Sequence, residues 1–263
     1  MSPQYKTLLI ESRDRVATVT LNRPEKLNIV DGPMHTELSM AFRILAADTE
    51  VDVVILTGAG RAFCAGGDLA WLQSMVDNPS AFLGIIEEAK AIVLSLLEMP
   101  KPVICRMNGD AVGLGATLAL CCDVIVAQDA ARFGDPHVRV GLVAGDGAAV
   151  LLPQIVGFMR AKELLLLGDL LSAEEARAMG IINHVVPVEE LDAKVALLAG
   201  RLRNGATHAI RYTKIAVNAG LRKLASEQMD MLMAYEALSA RTRDHAEAVA
   251  AMAERRKPSF TGS

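Results

Sequence analysis

Apolar and polar positions along this chain follow two periods, one typical of strands and one typical of helices. Residues 6–11 and 15–21 carry apolar side chains on both sides of a polar turn, which predicts a β-hairpin. Because strands and helices alternate along most of the chain, we expect an α/β core built largely on parallel strands. Short apolar runs predict further strands at 51–57, 103–107, 124–127 and 181–186. Helical spacing predicts helices at 34–48, 85–99, 147–155 and 159–167, and others that start near 113 and at a capping box at 172–175.

The pattern changes late in the chain, where strand character ends and helical spacing takes over. Within this helical stretch, breaks are predicted at Gly200, Gly205 and Gly220. We therefore divide the chain into a catalytic core at 1–200 and a helical region at 201–263. That region carries more apolar positions than a small terminal lobe can bury alone, so we expect an oligomerisation surface. The apolar positions are Leu221, Leu224, Met229, Leu232, Met233 and Leu238.

Composition excludes several classes of function. The chain has 263 residues, enough for one sizeable core. Its formal net charge is −4 and its basic residues are scattered, so we expect no nucleic-acid partner. Hydrophobic residues make up 52%, but no apolar run approaches the roughly 20 residues that cross a bilayer, so we expect no membrane partner. The segment 1–6 has neither a signal nor a transit pattern, which predicts a cytoplasmic enzyme.

Cysteine and histidine spacing argues against a metal site. No HExxH motif is present. The cysteines show no CxxC spacing, which is typical of buried thiols in a reducing compartment and not of disulfides or metal ligands. The four cysteines are Cys64, Cys105, Cys121 and Cys122.

Two glycine-rich segments carry the most informative chemistry. Residues 61–69 and 108–115 each follow an apolar strand and lead into a helix. Each can therefore present unpaired backbone N–H groups to a developing negative charge. The second segment is not a dinucleotide-binding loop, because Leu118 stands where the GxGxxG motif needs its third glycine. The two segments together have the form of a split oxyanion hole.

With three further segments, this pair resembles the crotonase superfamily, also called the enoyl-CoA hydratase/isomerase family. The further segments are 21–28, 133–136 and 254–260, and their order and spacing fit the family from about residue 5 to residue 260. The resemblance implies a spiral of stacked ββα units with a C-terminal helical trimerisation region. It also implies a homotrimer or hexamer that acts on an acyl-CoA thioester, with coenzyme A as part of the substrate and no other cofactor.

Matching the family's motifs residue by residue gives a set of binding positions. The two oxyanion-hole N–H groups fall on Gly67 and Leu114. Lys26 is placed to meet phosphate charge, with a solvated surface lysine as the alternative. Asp68 has a competing interpretation as a helix cap. Phe260 is expected to complete the coenzyme A pocket of a neighbouring subunit. The substrate-binding positions are Lys26, Leu27, Ile29, Ala65, Gly66, Asp68, Leu69 and Phe260.

The positions for acid–base chemistry depart from the hydratase pattern. The two glutamates that family hydratases use fall on Thr117 and His137 here. A threonine hydroxyl is too weak an acid to protonate carbon, so Thr117 either orients groups by hydrogen bonding or has no chemical role. His137 titrates near neutrality and is a candidate acid, base or carbonyl-positioning group, with a structural role as the alternative. Asp146 is the better candidate, because some family isomerases and carbon–carbon hydrolases place an aspartate at or next to this position. Its alternative role is a helix N-cap.

These positions favour an isomerase-like enolate reaction, catalysed by Asp146 with help from His137, over ordinary two-glutamate hydration. One alternative is retro-Claisen carbon–carbon hydrolysis of a diketone, which the segment 145–147 resembles. Thr117 argues against it, because such hydrolases place a catalytic histidine in that helix. A second alternative is a catalytically silent acyl-CoA-binding protein, since both hydratase glutamates are lost.

Overall fold

The computed structural model describes residues 5–263, so residues 1–4 of the segment examined for a targeting pattern lie outside it. Among the described residues, no helix combines the length and the apolar character that a membrane crossing requires. The strands are β1 (Leu8–Arg13), β2 (Val16–Leu21), β3 (Val53–Gly58), β4 (Val103–Met107), β5 (Ala111–Val112), β6 (Val124–Gln128), β7 (Arg132–Gly134), β8 (Leu171–Ser172) and β9 (His184–Val186).

The α-helices are α1 (Gly32–Ala47), α2 (Leu69–Asp77), α3 (Ser80–Glu98), α4 (Leu114–Leu120), α5 (Ala148–Val156), α6 (Phe158–Leu167), α7 (Ala173–Ala178), α8 (Leu191–Arg203), α9 (Thr207–Ser239) and α10 (Arg243–Glu254). Short 3-10 helices lie at Pro24–Lys26, His137–Val140 and Val188–Glu190. The predicted capping box is confirmed, with Ser172 and Glu175 bonding each other's backbone N–H groups at the start of α7.

A six-stranded sheet in the order β1-β2-β3-β4-β6-β9 forms the centre of the molecule. The hairpin β1–β2 is antiparallel, and every later pair in this sheet is parallel. A smaller sheet in the order β5-β7-β8 lies beside it. The predicted α/β core on mainly parallel strands is therefore confirmed.

Both faces of the large sheet are covered, which explains why its strands read as continuous apolar runs. On β3, Val54 and Leu56 point into the main core, whereas Val53 points into a smaller cluster with α8. Residues alternate between the two faces because the strand period is two. A parallel sheet buried in this way leaves no polar face along β3 and β4.

The ends of β3 and β4 bring the two glycine-rich segments side by side. Cys64 N–H donates to Asp110 O at 3.0 Å, and Val112 N–H donates to Cys64 O at 2.9 Å. A Cβ added at Gly115 would lie 2.4 Å from Cys64 O, so only glycine allows this approach. The chain therefore fixes the two segments against each other before any substrate is present.

Two of the three predicted helix breaks are wrong. Helix α8 runs through Gly200, α9 runs through Gly220, and only Gly205 lies between helices. A glycine inside a helix costs only about 1 kcal/mol relative to alanine, which tertiary packing readily offsets. Buried anchors supply that packing, because Lys214 Nζ donates to Lys101 O at 2.9 Å and pairs with Asp123 at 2.7 Å.

The apolar positions used to predict an oligomerisation surface are only partly exposed. Met229, Leu232 and Met233 pack against the chain's own core, whereas Leu238 is exposed. Exposed apolar side chains are also found on α6, at Phe158, Met159, Leu166 and Leu167. The division of the chain at residue 200 and the oligomeric state both stay predictions.

The continuity of α9 predicts that Gly220→Ala stabilises the protein. A Cβ at this position meets open space, and alanine removes the entropic cost of a helical glycine. The free energy of unfolding should rise by about 0.5–1 kcal/mol in a denaturant titration. The matched control, Gly115→Ala, should lower it by about 1–3 kcal/mol because its Cβ has no room. A destabilised Gly220→Ala variant would show that the helix is interrupted there.

Candidate active site

A mainly apolar pocket opens between the glycine-rich segments and the helices α2, α3 and α9. Ala65, Gly66, Gly67 and Leu114 form one side of it. The rest of the pocket wall includes apolar side chains from the helices, namely Trp71, Leu72, Met75, Phe82, Ile85, Ala89 and Met233. The polar side chains in the lining are His35, His137, Asp146 and Glu236.

Two backbone N–H groups of the pocket are free to bind a ligand. Within residues 5–263, neither Gly67 N–H nor Leu114 N–H donates a hydrogen bond. Leu114 is the first residue of α4, so its N–H has no partner inside the helix. Gly113, with φ of 56°, turns the chain into α4, and a Cβ there would lie 3.7 Å from Gly66 Cα. The predicted oxyanion donors therefore belong to adjoining backbone segments.

A row of buried polar side chains lies next to these N–H groups. Thr117 Oγ1 donates to Asp146 Oδ1 at 3.0 Å, and His137 Nε2 lies 3.7 Å from Asp146 Oδ2. On the other side of the imidazole, Nδ1 bonds Asp135 Oδ1, which also accepts from the His137 backbone N–H. The structure thus brings together all three predicted acid–base positions and adds Asp135 as the partner of the histidine.

Local backbone geometry explains how Asp146 reaches this row. Asp146 is not the N-cap of α5, because Gly147 takes that position, with φ of 136° and no side-chain cap. A Cβ at Gly147 would lie 2.8 Å from Thr117 Cγ2 and 3.0 Å from Val93 Cγ2. Glycine therefore allows the loop to press against α4, where the Thr117 hydroxyl meets the carboxylate.

Burial and charge act in opposite directions on this cluster. Burial raises the pKa of the Asp146 carboxyl, and the nearby His137 imidazole opposes that rise. For His137, burial works to lower the pKa, but the carboxylates of Asp135 and Asp146 outweigh it, so that its pKa is raised well above the ordinary 6.5. The two carboxylates therefore favour the charged form of the imidazole, and the imidazole in turn favours charge on Asp146.

Sequence reasoning missed Glu236, which α9 places in the same pocket. Its side chain is buried, and its Oε2 atom has no hydrogen-bond partner among the described residues. A Cβ at Gly145 would lie 2.7 Å from that oxygen, so the glycine before Asp146 makes room for the glutamate. No sequence motif marks Glu236, since it lies in a helix far along the chain and only the folded structure brings it to the loop.

His35 was also missed. It lies in the pocket wall on α1, with Nδ1 2.7 Å from Glu88 Oε2 and its ring 5.3 Å from that of Trp71. This contact ties α1 to α3 and holds the indole in the apolar wall. His35 is remote in sequence from every motif that predicted the site.

The predicted substrate-binding positions fall into two groups. Ala65 and Gly66 line the pocket, whereas the other six positions do not. Asp68 caps α2 by accepting from Ala70 N–H at 2.9 Å, and Lys26 Nζ lies 3.3 Å from its carboxylate. A substrate contact stays a prediction for Lys26, Leu27, Ile29, Asp68, Leu69 and Phe260.

Asp135, His137 and Asp146 also come close enough for ligation of a cation, with one ligand atom of each within 4.8 Å of the others. Their existing contacts favour another role, because His137 Nδ1 is engaged with Asp135 and Thr117 donates to Asp146. Two hydrogen-bonded pairs, with the imidazole Nε2 3.7 Å from the Asp146 carboxylate, are suited to proton transfer. The expectation that the site uses no metal stays a prediction.

Comparison with known proteins identifies what the chain resembles. The sequence model described as enoyl-CoA hydratase/isomerase matches residues 11–263. The 1,2-epoxyphenylacetyl-CoA isomerase of Escherichia coli K12 is 39% identical over 94% of this chain and 95% of its own length. The crotonyl-CoA hydratase of Syntrophomonas wolfei is 35% identical over 97% of this chain and 98% of its own length.

Solved structures agree with the sequence comparison. An enoyl-CoA hydratase/isomerase from Mycobacterium paratuberculosis superposes with a TM-score of 0.91 at 31% identity, over 94% of this chain and 99% of that one. An enoyl-CoA hydratase from Mycobacterium avium subsp. paratuberculosis gives a TM-score of 0.90 at 32% identity, over 98% and 100% of the two chains. The expected crotonase-like fold is confirmed.

The cluster predicts that His137 is protonated at neutral pH, because the carboxylates around it raise its pKa. Imidazole NMR shifts should report a cation that deprotonates only well above 6.5, and Asp135→Asn should lower that pKa. The raised pKa contributes stability that is fully present below 6.5 and is lost as pH rises through the folded-state pKa. His245 is the internal control, since burial lowers its pKa and it should be neutral. A neutral His137 at neutral pH would contradict this electrostatic description.

Proposed function

This chain belongs to the enoyl-CoA hydratase/isomerase family, and from that premise we propose that it catalyses an isomerase-like enolate reaction on an acyl-CoA thioester. The observation that carries the proposal is a buried carboxyl, Asp146, held in a pocket that also contains the free N–H groups of Gly67 and Leu114. A base beside an oxyanion hole is what removal of a proton next to a thioester requires.

In the proposed reaction, the thioester oxygen lies between Gly67 N–H and Leu114 N–H. Asp146 takes a proton from the carbon next to the carbonyl, and the electron pair moves onto the thioester oxygen as an enolate. The two N–H groups stabilise that charge without reorganising. Return of a proton to the γ-carbon shifts the double bond and restores the thioester carbonyl, so atoms and charge balance.

The neighbours of Asp146 support its role as the base. Thr117 donates a hydrogen bond to the carboxylate, which fixes its orientation. The His137 imidazole favours the charged form of Asp146, whereas burial favours the neutral form. These opposed effects move the affinity of Asp146 for protons toward the range useful in catalysis. The hydratase glutamate pattern does not supply such a base here, because Thr117 occupies one of its positions.

The pocket and the relatives support a substrate class. The wall formed by Trp71, Met75 and Phe82 is apolar, which suits a hydrocarbon or aromatic acyl group. By their names, the relatives act on an epoxyphenylacetyl-CoA and on a crotonyl-CoA. We place the enzyme in fatty acid metabolism, with coenzyme A entering as part of the substrate and no other cofactor. Lys26 is proposed to meet a coenzyme A phosphate.

We further propose a cytoplasmic homotrimer or hexamer. The support is physical, since α6 exposes four large apolar side chains that a monomer would leave in water. Phe260 is exposed near the C-terminus and is proposed to contact a neighbour's coenzyme A site. Light scattering that shows a stable monomer at micromolar concentration would exclude this assembly.

The test of the proposed function compares four compounds with one enzyme preparation. Butyryl-CoA in deuterated water should gain deuterium next to the carbonyl, and a β,γ-enoyl-CoA should convert to its α,β isomer. Crotonyl-CoA should be hydrated more slowly than the β,γ-enoyl-CoA is isomerised. Cleavage of a cyclic diketone with no reaction on any thioester would replace the proposal by retro-Claisen hydrolysis. Thermal stabilisation by acyl-CoA without any turnover would indicate a catalytically silent member.

Asp146→Asn should abolish most of the turnover. The amide keeps the size of the side chain and can still accept from Thr117, but it cannot take a proton from carbon. We expect turnover to fall by at least about 100-fold, while thermal stabilisation by an acyl-CoA survives. Full activity in this variant, together with collapse in His137→Ala, would transfer the role of the base to His137.

Leu114→Ala and Leu114→Pro should separate backbone from side-chain effects. Alanine keeps the N–H group, so much of the activity should remain. Proline removes the N–H, and loss of one oxyanion donor raises a barrier by about 3 kcal/mol. Circular dichroism must show a native fold in both variants, because Leu114 begins α4. Equal losses in the two would contradict the assignment of its N–H to the oxyanion hole.

A further inference from the structure

We propose that Glu236 is a second proton-transfer residue of this site, which holds a proton and delivers it to the enolate while Asp146 acts as the base. The proposal rests on the proposed function, because it assigns one half of that proton transfer to a different residue. Its starting observation is geometric. Glu236 is a buried glutamate whose Oε2 has no hydrogen-bond partner within residues 5–263 and which lines the pocket together with His137 and Asp146.

The register of α9 fixes where Glu236 points. Met229, Met233 and Glu236 are spaced by four and three residues, so they share one face of the helix. All three are buried, and Met233 and Glu236 both line the pocket. The glutamate therefore occupies a position that packing alone would assign to an apolar side chain. A buried carboxyl oxygen without a hydrogen-bond partner is costly, and contact with a ligand supplies a reason for it.

The loop opposite α9 is shaped around the glutamate. A Cβ at Gly145 would lie 2.5 Å from Leu232 O and 2.7 Å from Glu236 Oε2. Any other residue at 145 would push apart the loop that carries Asp146 and the helix that carries Glu236. The close approach of the loop and α9 thus brings one carboxyl from each to the same pocket.

The surroundings of Glu236 favour its protonated form, which is the form that a proton donor needs. Burial is the largest influence, and together with the carboxylates of Asp146 and Asp135 it raises the pKa of Glu236 to about 8 against the opposing effect of His137. Helix α5, which packs on α9, has no titratable side chain. On α3, Lys90 is paired at 2.6 Å with Asp230, more than a helical turn from Glu236. At neutral pH the glutamate therefore keeps its proton and can donate it.

The proposed step balances with no further reactant. The carbon–hydrogen bond next to the thioester breaks and its proton passes to Asp146, which leaves the electron pair on the enolate. Glu236 gives its proton to the γ-carbon, forms the new carbon–hydrogen bond and becomes a carboxylate. After product leaves, solvent takes the proton from Asp146 and returns one to Glu236, so that no water is consumed overall. Both carboxyls are then ready for the next turnover.

Two measurements on the Glu236→Gln variant test this assignment, with Glu227→Gln as the matched control on the exposed face of the same helix. Glutamine keeps the volume of the side chain but cannot donate a carboxyl proton. Isomerisation of a β,γ-enoyl-CoA should slow at least about tenfold in Glu236→Gln and stay unchanged in Glu227→Gln. The wild-type kcat/KM should fall as pH rises through about 8, and that limb should disappear in Glu236→Gln. Unchanged turnover with a retained limb overturns the proposal.

Isotope transfer and infrared spectroscopy separate this proposal from the proposed function. With substrate deuterated next to the carbonyl, wild-type enzyme should carry little label to the γ-carbon, and Glu236→Gln should carry more because only Asp146 then shuttles protons.

Infrared spectra of the ligand-free protein, labelled with carbon-13 in its glutamate carboxyls, should show a protonated glutamate that titrates near 8 and is absent in Glu236→Gln. Absence of that band in the wild type overturns the proposal whatever the activity. Its presence in an enzyme inactive on every thioester would instead refute the proposed function.

Discussion

The pairing of two glycine-rich segments is the constraint on which the rest of the site depends. Cys64 bonds the backbone on both sides of Ala111, and Gly109 and Gly115 press against the first segment at positions where any Cβ would collide. The segments follow β3 and β4, which are parallel neighbours, so they leave the sheet at the same edge. Two N–H groups that are distant in sequence thereby adjoin in one rigid backbone, which is the preorganisation that enolate stabilisation needs.

Electrostatics gives the side chains around this backbone their different roles. Burial raises the pKa of both Asp146 and Glu236, which share a mostly apolar pocket with one imidazole. The imidazole is nearest to Asp135 and Asp146, and it lies between them. The proposed mechanism gives Asp146 and Glu236 opposite roles, with Asp146 as the base and Glu236 as the proton donor. One sequence can in this way provide a base and an acid at the same pH.

Much of this arrangement can be predicted from the sequence, because it lies in loops whose glycine and aspartate residues indicate an unusual backbone or a special side chain. The glycines at 66–67 and 113–115 indicate close backbone approach, and the Gly145-Asp146-Gly147 loop indicates a special position for the aspartate. Glu236 carries no such signal, since a glutamate among helical residues is expected to be exposed. Gly220 shows the opposite error, because tertiary contacts along α9 override a local preference.

Likeness to both isomerases and hydratases is expected from the way this structure is built. The sheet, its core and the paired glycine-rich segments build the pocket, and a pocket of this kind serves any reaction that passes through a thioester enolate. The reaction itself depends on where protons are taken and returned. Here α4 offers only the Thr117 hydroxyl, which orients Asp146, while the carboxyls come from the loop before α5 and from α9. In the proposed mechanism, the place where that loop meets α9 therefore sets the positions of the two carboxyls relative to the acyl chain.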